Sequence, residues 1–155
     1  MLLINLHEES VDCILSSCLK LFENTKYTII AKIINMTEKS NAMNLIFEEL
    51  SRHMSVEEQI VYPLVPRIID RGVEIKQDLI QEHSQLKRIM IELMDMDIHD
   101  IQYLPLCDQL MRDFRHHSQK EQKEVINELR LVMNEYQLDL LYQCLGSAKS
   151  VAPCT

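Results

Sequence analysis

Two histidine–glutamate pairs have the spacing of a metal-binding motif on a helix. His53 precedes Glu57 by four residues, and His117 precedes Glu121 by four residues. Residues four apart lie on one face of a helix, with Cβ atoms about 5–6 Å apart, so each pair can direct an imidazole and a carboxylate at one point. Iron, manganese and zinc suit such mixed sites. If the two helices face each other, four ligands converge.

Each pair interrupts an apolar stripe that recurs at helical spacing, which is typical of the buried face of a helix in a bundle. A carboxylate that is buried without a partner destabilises the fold, and a metal ion would satisfy it. A buried ion pair, and a stripe turned partly toward solvent, are the alternatives. The first stripe consists of Met43, Ile46, Leu50, Ile60 and Leu64, and the second of Leu106, Leu110, Phe114, Val125 and Leu129.

Two further histidines extend this pattern. His83 lies on the apolar stripe of a third helix, between Leu79 and Leu86. If the pattern has two-fold symmetry, the first helix supplies the matching histidine, and only His7 is available there. A surface histidine near the amino terminus is the alternative interpretation of His7.

The composition indicates that helices position these residues. The chain of 155 residues is 46% hydrophobic, with two glycines, four prolines and no tryptophan. Scarce breakers and abundant helix formers favour an all-α fold. Pro63 and Pro66 predict a kink or break in the second helix, and Gly72 its carboxyl-terminal cap. The predicted helices cover residues 8–22, 40–71, 73–96 and 102–134, with a short final helix over 136–145. We predict one domain over 1–146 and a flexible tail over 147–155.

Charge and cysteine content exclude several classes of protein. The net charge is −8 with a pI of about 5.2 and no basic stripe, which argues against nucleic acid or an anionic membrane as a partner. No apolar stretch is long enough to span a bilayer, and the amino terminus does not look like a signal peptide. The five cysteines form no C-x-x-C pair, which indicates reduced thiols in a cytoplasmic or nuclear protein.

Three segments resemble the hemerythrin-like, or HHE cation-binding, family. Residues 53–63 resemble its H-x-x-x-E-E-x-x-x-[FY]-P signature, Glu82-His83 its E-H, and residues 116–121 its H-H-x-x-x-E. The similarity runs from about His7 to Leu145. The segment His-Ser-Gln-Lys-Glu-Gln-Lys is also similar to the hemerythrin domains of eukaryotic iron-sensing ubiquitin ligases.

The resemblance implies an up-down four-helix bundle around a non-haem di-iron centre, expected to be oxo-bridged. His53 and His117 would be terminal ligands, and Glu57 and Glu121 would bridge the irons.

The same resemblance makes His83 the ligand that completes one iron's set and His7 the ligand that completes the other's. Oxygen-carrying members have an additional histidine where this chain has Lys87. Fewer protein ligands leave more open positions, which suits O2, peroxide or nitric oxide.

Five neighbours are candidates for supporting roles. Tyr62 either hydrogen-bonds a bridging group, acts as a redox-active phenol or packs in the core. Glu124, seven residues after His117, is a candidate replacement for a water ligand. Glu58, Glu82 and His116 either orient ligands or face solvent.

Three functional hypotheses follow. The leading one is a di-iron protein that binds O2 or senses iron or redox state, with a bundle whose stability depends on metal. The alternative from the enzyme class is turnover of peroxide or nitric oxide, although the sequence shows no acid–base pair beyond the ligands. The third is a degenerate bundle that acts as an interaction module.

Overall fold

The structure is a computed structural model that describes residues 36–151, and every regular element within this range is helical. This confirms the predicted all-α fold. The predicted helix over 8–22, together with His7, lies outside the described residues. The α-helices are α1 (Met36–Val56), α2 (Val65–Ile68), α3 (Gly72–Asp95), α4 (Tyr103–Glu121), α5 (Asn127–Val132) and α6 (Glu135–Val151), and the π-helical segments are π1 (Glu57–Val61) and π2 (Gln122–Ile126).

The long helices pack side by side, as predicted for a bundle. α3 packs against α1 and α4, and α6 packs against α1. One apolar cluster joins α1, α3 and α4, and a second joins the end of α1 and the start of α3 with π1, α2, π2, α5 and α6. The histidines and glutamates of the predicted site fall between these clusters on each helix. The fold therefore holds a polar layer between two apolar ones.

The π1 segment changes which residues of the first predicted stripe are buried. Val61 and Val65 are 3% and 0% exposed, whereas the predicted Ile60 and Leu64 are only half-buried. A π-helical turn shifts the phase of the helix by about one residue, so the buried face continues in steps of four. The second stripe follows the prediction from Leu110 to Leu129.

The predicted break at the two prolines is confirmed. Pro63 lies in the turn that follows π1, and Pro66 lies in the first turn of α2, where a missing backbone donor costs no hydrogen bond. The chain turns here and returns as α3, which brings the histidine of α3 back beside those of α1 and α4.

Gly72 does not cap the helix before it, so this prediction was wrong. Gly72 is the first residue of α3, and the left-handed conformation belongs to Arg71, with φ of 56°. A Cβ on Gly72 would lie 2.2 Å from the carbonyl oxygen of Val65. Glycine is needed for close backbone approach, and an ion pair with Glu74 holds Arg71 in place.

The final helix is longer than predicted. α6 runs from Glu135 through Gly146 to Val151, beyond the expected end at Leu145. The domain boundary after residue 146 stays a prediction. Within residues 36–151, no helix is long and apolar enough to cross a membrane.

Burial protects one thiol from chemical modification. Burial, with the negative charge of Asp108, raises the pKa of the Cys107 thiol to about 12. Because the thiolate is the reactive species, we expect iodoacetamide at pH 8 to label Cys107 at least about a hundredfold more slowly than the exposed Cys144. Peptide mass spectrometry over a time course measures both rates. Equal rates in the folded protein would contradict this prediction, and equal rates in denaturant serve as its control.

Candidate metal centre

The predicted ligands that the structure describes meet in the polar layer of the bundle. α1 supplies His53, π1 supplies Glu57, α3 supplies His83, and α4 supplies both His117 and Glu121. Their exposed fractions lie between 0% and 7%. Three chain segments that are distant in sequence therefore direct three imidazoles and two carboxylates at one buried volume.

These side chains form two groups of three, and Glu57 belongs to both. One group is His53, Glu57 and Glu121, and the other is Glu57, His83 and His117, each with ligand atoms within 4.8 Å of one another. Glu57 Oε1 lies 2.7 Å from His53 Nε2, and Glu57 Oε2 lies 3.3 Å from His83 Nε2. The two oxygens of one carboxylate thus face different histidines, and both ligand groups share this carboxylate.

The two imidazoles of the second group face each other through the same nitrogen. His83 Nε2 and His117 Nε2 are 2.9 Å apart. Each Nδ1 lies 2.8 Å from a carboxylate, that of Glu58 or Glu82, and donates its proton there. In neutral rings both Nε2 atoms are then acceptors, and two lone pairs at this distance repel unless a proton or a cation lies between them. A metal ion held by these two rings would supply that positive charge.

The first group contains buried polar atoms whose hydrogen bonding is incomplete. In the part of the chain that the structure describes, Glu57 Oε2 and Glu121 Oε1 have no hydrogen-bond partner, and His53 Nε2 lies 2.7 Å from Glu57 Oε1 of the same ligand group. Such atoms are rare in folded proteins because each costs about 1–3 kcal/mol. Imidazole nitrogens and carboxylate oxygens without partners are the donor atoms that a divalent cation binds, so these residues fit a metal ion.

The pKa values of Glu57 and Glu121 are shifted in opposite directions. Burial resists ionisation of Glu57, but the charges of His53 and His83 outweigh it and hold the pKa of this carboxyl well below its usual range. Burial and the charge of Glu57 raise the pKa of Glu121 well above its usual range. Burial and the charge of Glu57 thus oppose a second negative charge at Glu121, and a bound cation would favour ionisation of both carboxyls.

The pKa values of the two facing histidines, His83 and His117, are also shifted in opposite directions. Hydrogen bonds to Glu57 and Glu58 overcome burial and raise the pKa of His83. Burial and the charge of His83 lower the pKa of His117. His83 is therefore the more basic of the two rings, and a bound metal ion would compete with a proton at its Nε2 atom.

Replacement of Glu121 by glutamine should stabilise the metal-free protein at neutral and alkaline pH. Because the folded state raises the pKa of Glu121, its stabilising contribution is full below the unfolded pKa of about 4.3 and is lost as pH rises toward the folded value. We expect Glu121→Gln to gain about 1–3 kcal/mol over wild type at pH 8, the scale of one unsatisfied buried group. The gain should vanish toward pH 4. Urea unfolding of chelator-treated proteins across this range measures it, and a variant less stable at pH 8 would contradict it.

Two glutamates beside the ligands contact both a histidine and a lysine. Glu58 Oε1 lies 3.0 Å from Lys87 Nζ, and Glu82 Oε1 lies 2.9 Å from Lys120 Nζ. The sequence left the orientation of both glutamates open and gave no role to the lysines. Their positions, four residues after His83 and three after His117, were the available signal.

The other candidate neighbours differ in their relation to the centre. Tyr62 is fully buried, and its hydroxyl lies 3.0 Å from His83 Nε2. Burial and the charge of Glu57 raise the pKa of Tyr62, so the phenol stays protonated. His116 is exposed on α4, and Glu124 lines a surface cavity of about 740 Å³ beside Lys120. Among the described residues, neither ligand group includes His116 or Glu124.

Each π-helical segment lies directly at a motif glutamate. Glu57 is the first residue of π1, and Glu121 is the residue before π2. Single π-helical turns inside α-helices occur frequently at functional sites. The spacing of the motifs does not predict either π-helical segment.

Comparison with known proteins agrees with this geometry. An uncharacterized hemerythrin-like protein of Schizosaccharomyces pombe is 27% identical over 88 residues, which cover 56% of this chain and 43% of that protein. The aligned region thus spans less than half of the relative's length. No solved structure matches the chain. The model of the hemerythrin HHE cation-binding domain matches residues 18–129, so the chain belongs to the hemerythrin HHE cation-binding family.

Proposed function

We propose that this protein binds two iron ions in the polar layer of its bundle and uses them to bind O2 or to sense iron and redox state. Metal-ion binding follows from the cation-binding family. The observation that carries the two-ion proposal is Glu57, which belongs to both ligand groups and directs one oxygen at each. A site for one ion would not need a carboxylate shared in this way.

The choice of iron rests on the second ligand group. Glu57, His83 and His117 form a set of two histidines and one carboxylate, which is the facial triad of non-haem Fe(II) proteins. Such a triad leaves open coordination positions. Iron bound here would supply the redox chemistry that O2, peroxide or nitric oxide requires.

The side chains of this chain have three tasks in that chemistry. Glu57 and Glu121 balance the charge of the cations with two buried carboxylates. Tyr62 places a protonated phenol beside His83, where it can donate a hydrogen bond to a small anionic ligand. The apolar clusters on both sides of the layer, which contain Phe114 and Leu79, keep bulk water away.

We propose that His7 completes the first ligand group, because that group has one histidine where the second has two. A His7→Ala variant tests this directly. We expect it to weaken binding of one ion and leave the other in place. If the variant bound both ions with the affinities of the wild-type protein, His7 would not be a ligand.

The sensing version of the proposal follows from where the ligands lie. They come from α1, π1, α3 and α4, so a bound ion links segments that separate on unfolding. Loss of metal then becomes loss of bundle stability, which a cell can detect as a change in protein level. The free thiols Cys107 and Cys144 agree with a reducing compartment, and we propose the cytoplasm or the nucleus.

Elemental analysis with an ultraviolet–visible spectrum tests the proposal first. Protein purified from iron-supplemented cells should contain about two irons per chain, one for each ligand group. Its spectrum should also show the near-ultraviolet charge-transfer bands expected of an oxo-bridged di-iron centre. Zinc or a single iron would contradict the di-iron proposal, and absence of metal would favour the interaction module.

A further inference from the structure

On each of two helices of this bundle, a histidine and a lysine contact a glutamate from an earlier segment of the chain. On α3, His83 Nδ1 and Lys87 Nζ lie 2.8 Å and 3.0 Å from the same oxygen of Glu58. We call this set of three residues the α3 clamp. Glu58 follows Glu57 directly, so this clamp fixes the position next to the shared carboxylate.

The same arrangement recurs one helix later. On α4, His117 Nδ1 lies 2.8 Å from Glu82 Oε2, and Lys120 Nζ lies 2.9 Å from Glu82 Oε1. We call this set the α4 clamp. Glu82 precedes His83 directly, so again the held carboxylate is the neighbour of a ligand. The two clamps link π1 to α3 and α3 to α4 in succession.

Exposure argues against a role of these ion pairs in stability alone. The side chains of Glu58 and Lys87 are 30% and 39% exposed, and those of Glu82 and Lys120 are 22% and 21% exposed. Pairs that reach solvent contribute little to the free energy of unfolding. The histidines that they contact, however, are 0% and 1% exposed and point into the polar layer.

The hydrogen bond at Nδ1 decides what the other nitrogen can do. A ring that donates its Nδ1 proton to a carboxylate presents Nε2 as a lone pair, which is the form that binds metal. The contact with the lysine holds the carboxylate in position, and the attraction between the two charges opposes any rotation of the glutamate toward the cation. Without the lysine, the glutamate would keep one of the two contacts of its clamp, and the orientation of the ring would be less constrained.

We propose that Lys87 and Lys120 are positioning residues of the metal centre, which act through Glu58 and Glu82 to hold the Nε2 atoms of His83 and His117 toward the ion. This inference rests on the proposed metal binding and deepens it. Removal of the hydrogen-bond partner of a metal-bound histidine typically lowers metal affinity by about 10–100-fold. A lysine one contact further out should account for about tenfold, the lower end of that range.

The test is ferrous iron affinity of the full chain, measured anaerobically by competition with a colorimetric chelator. We expect Lys87→Met and Lys120→Met each to weaken binding about tenfold, with the melting temperature of the metal-free protein unchanged. Lys87→Arg keeps the positive charge and should retain most of the wild-type affinity for ferrous iron. The matched control is Lys123→Met, which removes the same charge at an exposed position just after α4.

A double-variant cycle separates positioning from a general charge effect. Lys87→Met should cost nothing further in a Glu58→Gln background, because the lysine acts through that carboxylate. Affinity within twofold of wild type in both lysine variants, or an equal loss with and without Glu58, would overturn the inference. If the wild-type chain binds no ferrous iron, the proposed function itself fails, and the inference fails with it.

Discussion

Removal of metal should lower the melting temperature of the full chain by about 15–30 °C. An ion present at a thousandfold its dissociation constant stabilises a fold by about 4.1 kcal/mol, so two ions contribute about 8 kcal/mol. In a domain of this size, each kcal/mol shifts the melting temperature by about 2–4 °C. The physical cause is the polar layer, whose buried carboxylates and imidazoles keep several polar atoms incompletely hydrogen-bonded between two apolar clusters when no cation is bound.

Anaerobic circular dichroism melts of iron-loaded and chelator-treated protein measure this shift. The Glu57→Ala, Glu121→Ala double variant should melt at one temperature in both conditions, because it lacks a carboxylate in each ligand group. The matched control is Glu48→Ala, which removes a carboxylate from the exposed face of α1 and should keep the full shift. Equal melting temperatures of the loaded and chelated wild-type protein would refute metal-dependent stability and the sensor hypothesis with it.

Replacement of Glu57 by glutamine should abolish binding of both ions, whereas replacement of Glu121 should abolish only one. Glu57 is in both ligand groups, and Glu121 is in one. Glutamine keeps the volume of the side chain and loses its negative charge, so the change tests coordination with little effect on packing. We expect iron per chain to fall from about two to near zero in Glu57→Gln and to about one in Glu121→Gln.

Inductively coupled plasma spectrometry on dialysed protein gives both ratios directly. Glu48→Gln should retain the wild-type ratio, since Glu48 is exposed on the same helix. His53→Ala and His117→Ala extend the series, because each histidine belongs to a different group. If Glu57→Gln retained one iron, Glu57 would be a ligand of one ion only, and the bridging arrangement would be wrong.

Local periodicity made much of this centre predictable. An α-helix repeats every 3.6 residues, so residues four apart share a face whatever the rest of the chain does. The stripe through His117 and Glu121 is buried as predicted, and so is His83 between Leu79 and Leu86. The break at Pro63 also followed from the sequence, since a missing amide donor acts within its own turn.

Features that depend on strain and close approach were not predictable in this way. The π1 segment moved the buried face from Ile60 to Val61, and no residue type marks such a turn. Glycine is the residue type typical of a helix cap, yet Gly72 lies at the first position of α3, where the backbone of Val65 approaches closely. The need for glycine at position 72 comes from the close approach of two backbone segments, which the local sequence does not reveal.

The sequence by itself determined that the chain is helical, that two histidine–glutamate pairs interrupt buried stripes and that these pairs suit a cation. The family resemblance implied that Glu57 is shared between two sites. Only the tertiary structure decided which histidines lie beside it, and that Lys87 and Lys120 contact the carboxylates that hydrogen-bond His83 and His117. The reason is geometric. Contacts within one helix are fixed by its repeat, whereas contacts between helices depend on the rotation and height at which their side chains pack.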